Sequence, residues 1–250
     1  YAFLGTSRQL AVGPVALDSL IVASGLGTLA ISGIDNYISM AIFLAFFMGI
    51  LQILLGFLKF GFLVNFLSRP IISAFTSAAA VLIGFSQLKN LTGISVPHSE
   101  STVSKLISIF YHLSDINWSI MLLGLFCVSS IILLDKYFKK IPSGIFIVIT
   151  STLISYAFNF SDLNIALIEK VPNGLPSFAP PHVTADTIYT LFPIALTLSL
   201  VGFMEATAIS KSLEETQNEY RVDNNKELVA LGFSNAIGAF FQAYPTTGGF

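Results

Sequence analysis

Long apolar stretches separated by short polar connections limit how this 250-residue chain can fold more than any other feature of its sequence. A helix that crosses the hydrocarbon core of a bilayer needs about 20 mostly apolar residues. The sequence predicts five such helices, at Tyr37–Leu58, Pro70–Leu88, Trp118–Leu134, Ile141–Phe158 and Ile188–Ile209. Two more apolar segments, Gln9–Ile31 and Lys226–Ala243, are broken by Gly and Pro residues. The pattern predicts an all-α, polytopic membrane protein.

The composition excludes a soluble enzyme and argues against a nucleic-acid-binding protein. Charged residues make up 10% of the chain, against about 25% in an average soluble domain, so a soluble enzyme is excluded. The net charge of -2, without a basic run, argues against a nucleic acid partner. The most charged stretch, Lys211–Glu227, is predicted to be a solvated helix end and connection. The single cysteine is Cys127, and all three histidines fall in predicted connections, so we expect no intramembrane enzyme, no metal and no cofactor.

The segment around Gly13 and Pro14 predicts a helix that starts inside the membrane. Proline suits the first position of a helix because it has no amide hydrogen to leave unpaired. The residue before a proline favours extended geometry, so we expect an extended chain over residues 9–12 and a helix from near Pro14 to around Gly25–Gly27. About 12 residues span ~18 Å, which is too short for a hydrocarbon core of ~30 Å. An ordinary kinked span is the alternative.

The start of this half-helix predicts an anion site that has no basic side chain. Extended chain within the membrane must be covered by protein or line a wet cavity. The free amides of Val15, Ala16 and Leu17 would then face that cavity with the positive end of the helix dipole. The candidate substrate-binding residues are Gly13, Val15, Ala16 and Leu17.

Two acidic residues in apolar surroundings are candidates for binding a coupling ion. Glu205 lies near the end of an otherwise uncharged predicted span, where a carboxylate costs several kcal/mol unless it is paired, hydrated or protonated. Desolvation favours its neutral form, which suits proton coupling or cation binding. Asp18 lies one turn into the half-helix, where its charge favours the dipole but repels an anion. A structural role is the alternative for both residues.

Several motifs resemble those of the SulP (sulfate permease) family of anion transporters, in the order in which the family has them. The matching stretches are Gly5–Ala16, Phe66–Thr76, Gly84–Lys89, Val171–Pro176, Asn224–Gly232 and Phe241–Phe250. They run along the whole chain, and the span with Glu205 resembles the family as well. The stretch Tyr244–Phe250 is similar to the entry of a second broken helix. Two broken helices in corresponding positions are typical of an inverted-repeat transporter.

The resemblance implies a fold of fourteen membrane segments in two inverted repeats of seven, followed by a cytoplasmic STAS domain outside this chain. The chain is then an internal fragment of one transmembrane domain, from the end of segment two through segment nine. Residues 1–68 and 186–250 would belong to the substrate-carrying core, and residues 69–160 to the gate. In the family the anion lies between the starts of segments three and ten. Val15 would line that site, and Glu205 matches the acidic position of segment eight.

We expect secondary active transport of an inorganic anion, sulfate, coupled to protons through Glu205. Sodium-coupled bicarbonate members of the family have an Asp and a nearby hydroxyl residue in segment eight, whereas this chain has Glu205 and, one turn later, Ile209. This departure favours proton coupling or uncoupled transport. A bicarbonate or chloride carrier or exchanger of the same fold is the alternative, with sodium coupling or none. We expect a homodimer in the full-length form, in the plasma membrane or, in a bacterium, the inner membrane.

Overall fold

The computed structural model describes residues 1–27, 29, 33–66, 69–94, 111, 116–138, 140–158, 160, 167, 174–181, 185–217 and 221–249. Within these ranges the helices are α1 (Ala16–Gly27), α2 (Ile34–Phe57), α3 (Arg69–Thr92), α4 (Trp118–Tyr137), α5 (Ser143–Ala157), α6 (Ala185–Gln217) and α7 (Asn224–Ala239). A 3₁₀ helix covers Phe60–Phe66. Strands β1 (Ala11–Gly13) and β2 (Thr247–Gly249) form an antiparallel pair. The predicted helical architecture is confirmed.

Four of the five predicted spans correspond to helices of 20 to 33 residues, which are α2, α3, α4 and α6. The fifth span, Ile141–Phe158, was predicted too long. Pro142 has an extended backbone and precedes α5, which therefore has only 15 residues, or about 22 Å. The broken segment Lys226–Ala243 also ends earlier, because α7 stops at Ala239 and Gln242 has the left-handed φ of 61°, which a helix cannot continue.

Three helical segments among the described residues are long and apolar enough to cross a membrane. They are Asn36–Phe57, Trp118–Tyr137 and Asp186–Glu214. Helices α1 and α5 are apolar but shorter. The length and composition of these helices agree with a protein that passes the bilayer several times.

The chain forms two compact units. The first contains Tyr1–Ala80 and Leu175–Phe250, and the second contains Val81–Gly174. The first unit therefore holds α1, α2, α6, α7 and both strands, whereas α4 and α5 belong to the second. The assignment of residues 1–68 and 186–250 to a core and of residues 69–160 to a gate stays a prediction.

Apolar side chains from three helices form the main core of the first unit. Val22 and Leu26 of α1 are fully buried against Met48 of α2 and against Leu191 and Leu198 of α6. A helix that is short for a membrane span gains most of its stability from such packing. This core therefore holds α1 in place against α2 and α6.

Helices α2 and α7 approach each other closely through residues that lack bulky side chains. A Cβ on Gly49 of α2 would lie 2.7 Å from the Gly232 carbonyl oxygen of α7 and would collide with the Ala236 backbone nitrogen. On α7, a Cβ on Gly232 would lie 2.7 Å from the Gly49 carbonyl oxygen. Small residues allow close backbone contact between helices in a membrane, and here that contact fixes the position of α7 against α2.

Replacing Gly49 by Ala is expected to destabilise the protein by about 1–3 kcal/mol, because the added methyl group meets backbone atoms that cannot turn away. Replacing Gly84, in the middle of α3, is the matched control, since a Cβ there meets no described atom within 4 Å. The control is expected to be neutral or slightly stabilising. Thermal unfolding of the purified full-length variants measures both effects, and equal stability of the two variants would contradict the close contact of α2 and α7.

The second unit is built on the contact of the end of α3 with α4. The Asn117 amide donates to the Thr92 carbonyl oxygen at 3.0 Å, and the Asn117 side chain accepts from the amides of Ser119 and Ile120 at the start of α4. The absence of a side chain at Gly124 leaves room for Leu91 of α3. These contacts fix where α4 begins relative to α3.

Candidate functional site

Helix α1 is a half-helix that is separated from the end of strand β1 by two residues. It has 12 residues, or about 18 Å of length, so the predicted short helix near Pro14 is confirmed. The helix begins at Ala16, two residues after Pro14, so Pro14 and Val15 precede it. Strand pairing keeps the chain extended through Gly13, and the φ of proline suits extended chain as well as a helix. The first turn closes where the Ser19 amide donates to the Val15 carbonyl oxygen at 3.0 Å.

The antiparallel strand pair places the start of α1 beside β2. The partners in the pair are Ala11 with Gly249, Val12 with Gly248, and Gly13 with Thr247. The half-buried Val15 has its Cγ1 atom 3.1 Å from the point where a Cβ on Gly249 would lie. Two of the predicted substrate-binding residues, Gly13 and Val15, therefore lie at the end of the strand pair.

The first turn of α1 supplies backbone donors without a positively charged side chain. The amides of Ala16, Leu17 and Asp18 lie at positions where an α-helix has no earlier carbonyl to accept their hydrogen bonds. The Ala16 side chain is exposed, and the Leu17 side chain is buried. Residues 13–27 contain no Lys or Arg, so the favourable potential for an anion at this helix start comes from the backbone.

Asp18 is completely buried at the contact of α1 with α6. Neither of its carboxyl oxygens has a hydrogen-bond partner among the described residues. Its Oδ2 atom lies 3.3 Å from the position that a Cβ on Gly202 of α6 would occupy. The Thr247 hydroxyl of β2 donates to the Gly202 carbonyl oxygen at 2.7 Å. Because Gly202 has no side chain, Asp18 and Thr247 both approach α6 at this point.

Glu205 follows Gly202 by one turn, on the same face of α6. Its side chain is half-buried, and its Oε2 atom is buried without a hydrogen-bond partner in the part of the chain that the structure describes. Its carboxylate is close enough to interact electrostatically with Asp18. The structure thus brings together the two acidic residues that the sequence singled out, although they are far apart along the chain.

Metal ligands are not clustered in the part of the chain that the structure describes. It contains no group of three or more His, Cys, Asp or Glu residues that could hold a metal ion. The histidines His98, His112 and His182 lie outside the described residues. What the site offers is therefore a helix start and two carboxyl groups.

The sequence of the chain matches the model of a known protein family over its whole length. The model of the sulfate permease family matches residues 1–250. The chain belongs to the sulfate permease family. The resemblance of its motifs is thereby confirmed.

Relatives of this sulfate permease family member include transporters from a plant and from a mammal. The chain is 35% identical over 258 residues to "Sulfate transporter 4.1, chloroplastic" of Arabidopsis thaliana. It is 32% identical over 285 residues to the "Sodium-independent sulfate anion transporter" of Bos taurus. Both matches cover all of the chain, which spans 37% and 46% of these two proteins.

Solved structures of transporters have the same fold. The chain matches the transmembrane domain of the cyanobacterial bicarbonate transporter BicA with a TM-score of 0.83 at 25% identity, over 98% of this chain and 62% of that one. It matches the murine Solute Carrier 26 family member A9 anion transporter, in the inward-facing state, with a TM-score of 0.86 at 24% identity. That match covers 100% of this chain and 45% of the other. The predicted membrane transporter fold is confirmed.

A buried asparagine that the sequence did not single out holds β2 of this sulfate permease family member in register. The Asn235 side chain of α7 donates to the Thr246 carbonyl oxygen at 2.8 Å and accepts from the Thr246 amide at 2.8 Å. It also donates to Gln52 of α2 at 3.2 Å. Both backbone groups of the residue before β2 are thus satisfied by one side chain, which positions Thr247 against Gly202. A polar residue inside an apolar segment was the available signal.

The structure differs from the prediction that Lys211–Glu227 is solvated, because Glu227 at its end is buried. The Glu227 side chain is completely buried in the first turn of α7. Its carboxylate accepts hydrogen bonds from the Tyr1 hydroxyl at 2.5 Å, the Thr6 amide at 2.6 Å, the Thr6 hydroxyl at 2.7 Å and the Ser7 amide at 3.0 Å. The donors come from the opposite end of the sequence, which sequence patterns do not reveal. This carboxylate holds residues 1–7 against α7.

Proposed function

We propose that the full-length protein is a secondary transporter of an inorganic anion, with sulfate as substrate and a proton as coupling ion. The observation that carries the proposal is the half-helix α1, whose start lies beside the β1–β2 pair and close to the carboxyl groups of Asp18 and Glu205. Relatives named as sulfate transporters, at 35% and 32% identity, support sulfate as substrate and transport over catalysis. The homodimer and the plasma or inner membrane stay predictions.

The proposed site contains a helix start that attracts anions and two carboxyl groups that bind protons. Free amides and the helix dipole at the start of α1 favour a negative charge. Two carboxylates nearby would repel the anion, and burial disfavours their charged forms as well. An anion and a proton therefore help each other to bind, and this coupling is reciprocal. A proton that travels with sulfate also lowers the net charge that moves across the membrane potential.

Uptake by the full-length protein in vesicles tests the proposal. Labelled sulfate is expected to accumulate when the outside is acidic, and to equilibrate without accumulation when only a sodium gradient is imposed. Excess unlabelled sulfate should compete with the label. Accumulation driven by sodium, or transport of bicarbonate or chloride without sulfate, would contradict the proposed substrate and coupling ion.

A carrier or exchanger of bicarbonate or chloride is the second candidate function. The observation that favours it is the match to the cyanobacterial bicarbonate transporter BicA, at a TM-score of 0.83. The pattern of sodium-coupled bicarbonate members, an Asp with a nearby hydroxyl residue in segment eight, differs from this chain, which has Glu205 and the buried, apolar Ile209 on α6. The same vesicles, loaded with chloride or bicarbonate, distinguish the two functions.

Replacing Val15 by Trp is expected to weaken sulfate binding at least about tenfold, which corresponds to about 1.4 kcal/mol. The larger side chain would press against β2, because Cγ1 of Val15 already lies 3.1 Å from the position of a Cβ on Gly249, and it would obstruct the amides at the start of α1. Replacing Val148, an exposed residue of α5, by Trp is the matched control and should leave affinity unchanged. Equilibrium binding of labelled sulfate to the purified full-length variants measures the effect. Unchanged affinity in a folded Val15→Trp protein would show that the anion binds elsewhere.

A further inference from the structure

Asp18 differs from Glu205 in being sealed by the residues that surround it. Its exposed fraction is 0%, and both of its carboxyl oxygens are buried. Neither oxygen accepts a hydrogen bond within the described part of the chain. A charged Asp18 would consequently be a buried carboxylate without a donor.

The titratable groups that face Asp18 offer it no positive charge. Glu205 approaches from α6 and adds a second acidic group. Tyr244, which precedes β2, interacts electrostatically with Asp18 and lies within hydrogen-bonding reach of the Ser19 and Tyr37 side chains. Lys, Arg and His are not among the groups that interact with Asp18 in the part of the chain that the structure describes. A carboxylate that lacks both a cation and a donor in such surroundings is strongly disfavoured relative to the neutral acid.

We propose that the Asp18 carboxyl group is a second proton-binding group of the transport site, which holds a proton whenever an anion occupies the start of α1. The inference rests on the proposed anion site. Asp18 lies in the first turn of that helix. The same helix dipole would stabilise a charged Asp18 or a bound anion, and the two negative charges would repel each other. Anion binding therefore draws a proton onto Asp18 as well as onto Glu205.

The proton reaches Asp18 through Glu205. Glu205 is half-buried, whereas Asp18 is sealed, and among the described residues Glu205 is the carboxyl group that interacts with Asp18. A negative charge on Glu205 disfavours a negative charge on Asp18, so protonation of one group affects protonation of the other. Asp18 holds a proton while the anion is bound, and the partly exposed Glu205 exchanges protons with water.

Proton uptake that accompanies anion binding tests this inference. Sulfate is titrated into weakly buffered, purified full-length protein that contains a pH indicator, across a range of pH, and the protons taken up per bound sulfate are counted. At alkaline pH the wild type is expected to take up more than one proton, and Asp18→Asn about one fewer. Sulfate should bind to Asp18→Asn more tightly than to wild type at alkaline pH. Replacing the exposed Asp135 of α4 by Asn is the matched control and should change neither quantity.

The outcomes separate this inference from the proposed function. A folded Asp18→Asn protein with the proton count and pH dependence of the wild type would overturn the inference, while proton-dependent sulfate binding itself would stand. A merely structural Asp18 would change thermal stability without changing the proton count. If Asp18→Asn does not fold, a wild-type count of one proton or fewer per sulfate overturns the inference. If neither sulfate nor chloride binds to the wild type, the proposed function fails, and the inference fails with it.

Discussion

Replacing Glu205 by Gln is expected to abolish accumulation of sulfate driven by a proton gradient, while exchange of sulfate for sulfate continues. The amide has the shape of the protonated acid, so the anion site keeps its neutral form, but it can neither take up nor release a proton. It also removes the proton route to the sealed Asp18. The internal concentration of labelled sulfate should therefore rise to about the external concentration and stop there. Without a proton-binding group at residue 205, the proton gradient no longer favours one conformation of the transporter over the other.

Vesicles that contain full-length protein measure this loss directly. Replacing Glu214 by Gln is the matched control, because Glu214 lies on the same helix, α6, nine residues further along. The control is expected to accumulate sulfate as the wild type does. If gradient-driven accumulation persists in Glu205→Gln, this residue is not the coupling site, and Asp18 becomes the next residue to replace.

Replacing Glu227 by Ala is expected to destabilise the protein by about 3–5 kcal/mol, because several hydrogen-bond donors lose this acceptor and each buried donor left unsatisfied costs about 1–3 kcal/mol. The change removes the carboxylate that accepts hydrogen bonds from the Thr6 amide, the Thr6 hydroxyl and the Ser7 amide. It also frees the first turn of α7 from residues 1–7, which precede β1. Glu227→Gln, which keeps one acceptor oxygen, should lie between wild type and Glu227→Ala.

Thermal and denaturant unfolding of the purified full-length variants measure this loss of stability. Replacing the neighbouring Lys226, which is exposed, by Ala is the matched control and should change stability little. Equal unfolding midpoints of Glu227→Ala and Lys226→Ala would mean that the carboxylate does not hold residues 1–7 in place.

The half-helix was predictable because its signals are local. Gly13 and Pro14 mark a change from extended chain to helix, and Gly25 and Gly27 predict its end, which the structure places at Gly27. The exact first residue was not predictable, because strand pairing with β2 decides how far the extended chain runs. That partner lies more than 200 residues away, so no local pattern describes it.

The carboxyl groups show the same division between local and distant signals. An acid in an apolar span identified Glu205 and Asp18 as candidates, but their proximity depends on the packing of α1 against α6 and on the missing side chain of Gly202. The polar neighbourhood of Glu227 along the chain predicts a solvated side chain, whereas in the structure its hydrogen-bond donors come from the distant Tyr1, Thr6 and Ser7. Burial of a charged group is set by partners that only the folded chain brings near.

The position of a bound anion tests the central claim of this account most directly. Selenate has the charge and shape of sulfate, and its selenium atom can be located by anomalous scattering in crystals of the full-length protein. The account predicts the selenium in front of the amides of Ala16 and Leu17, beside Val15 and the β1–β2 pair. A selenate bound away from the start of α1, with this helix start empty, would contradict the account.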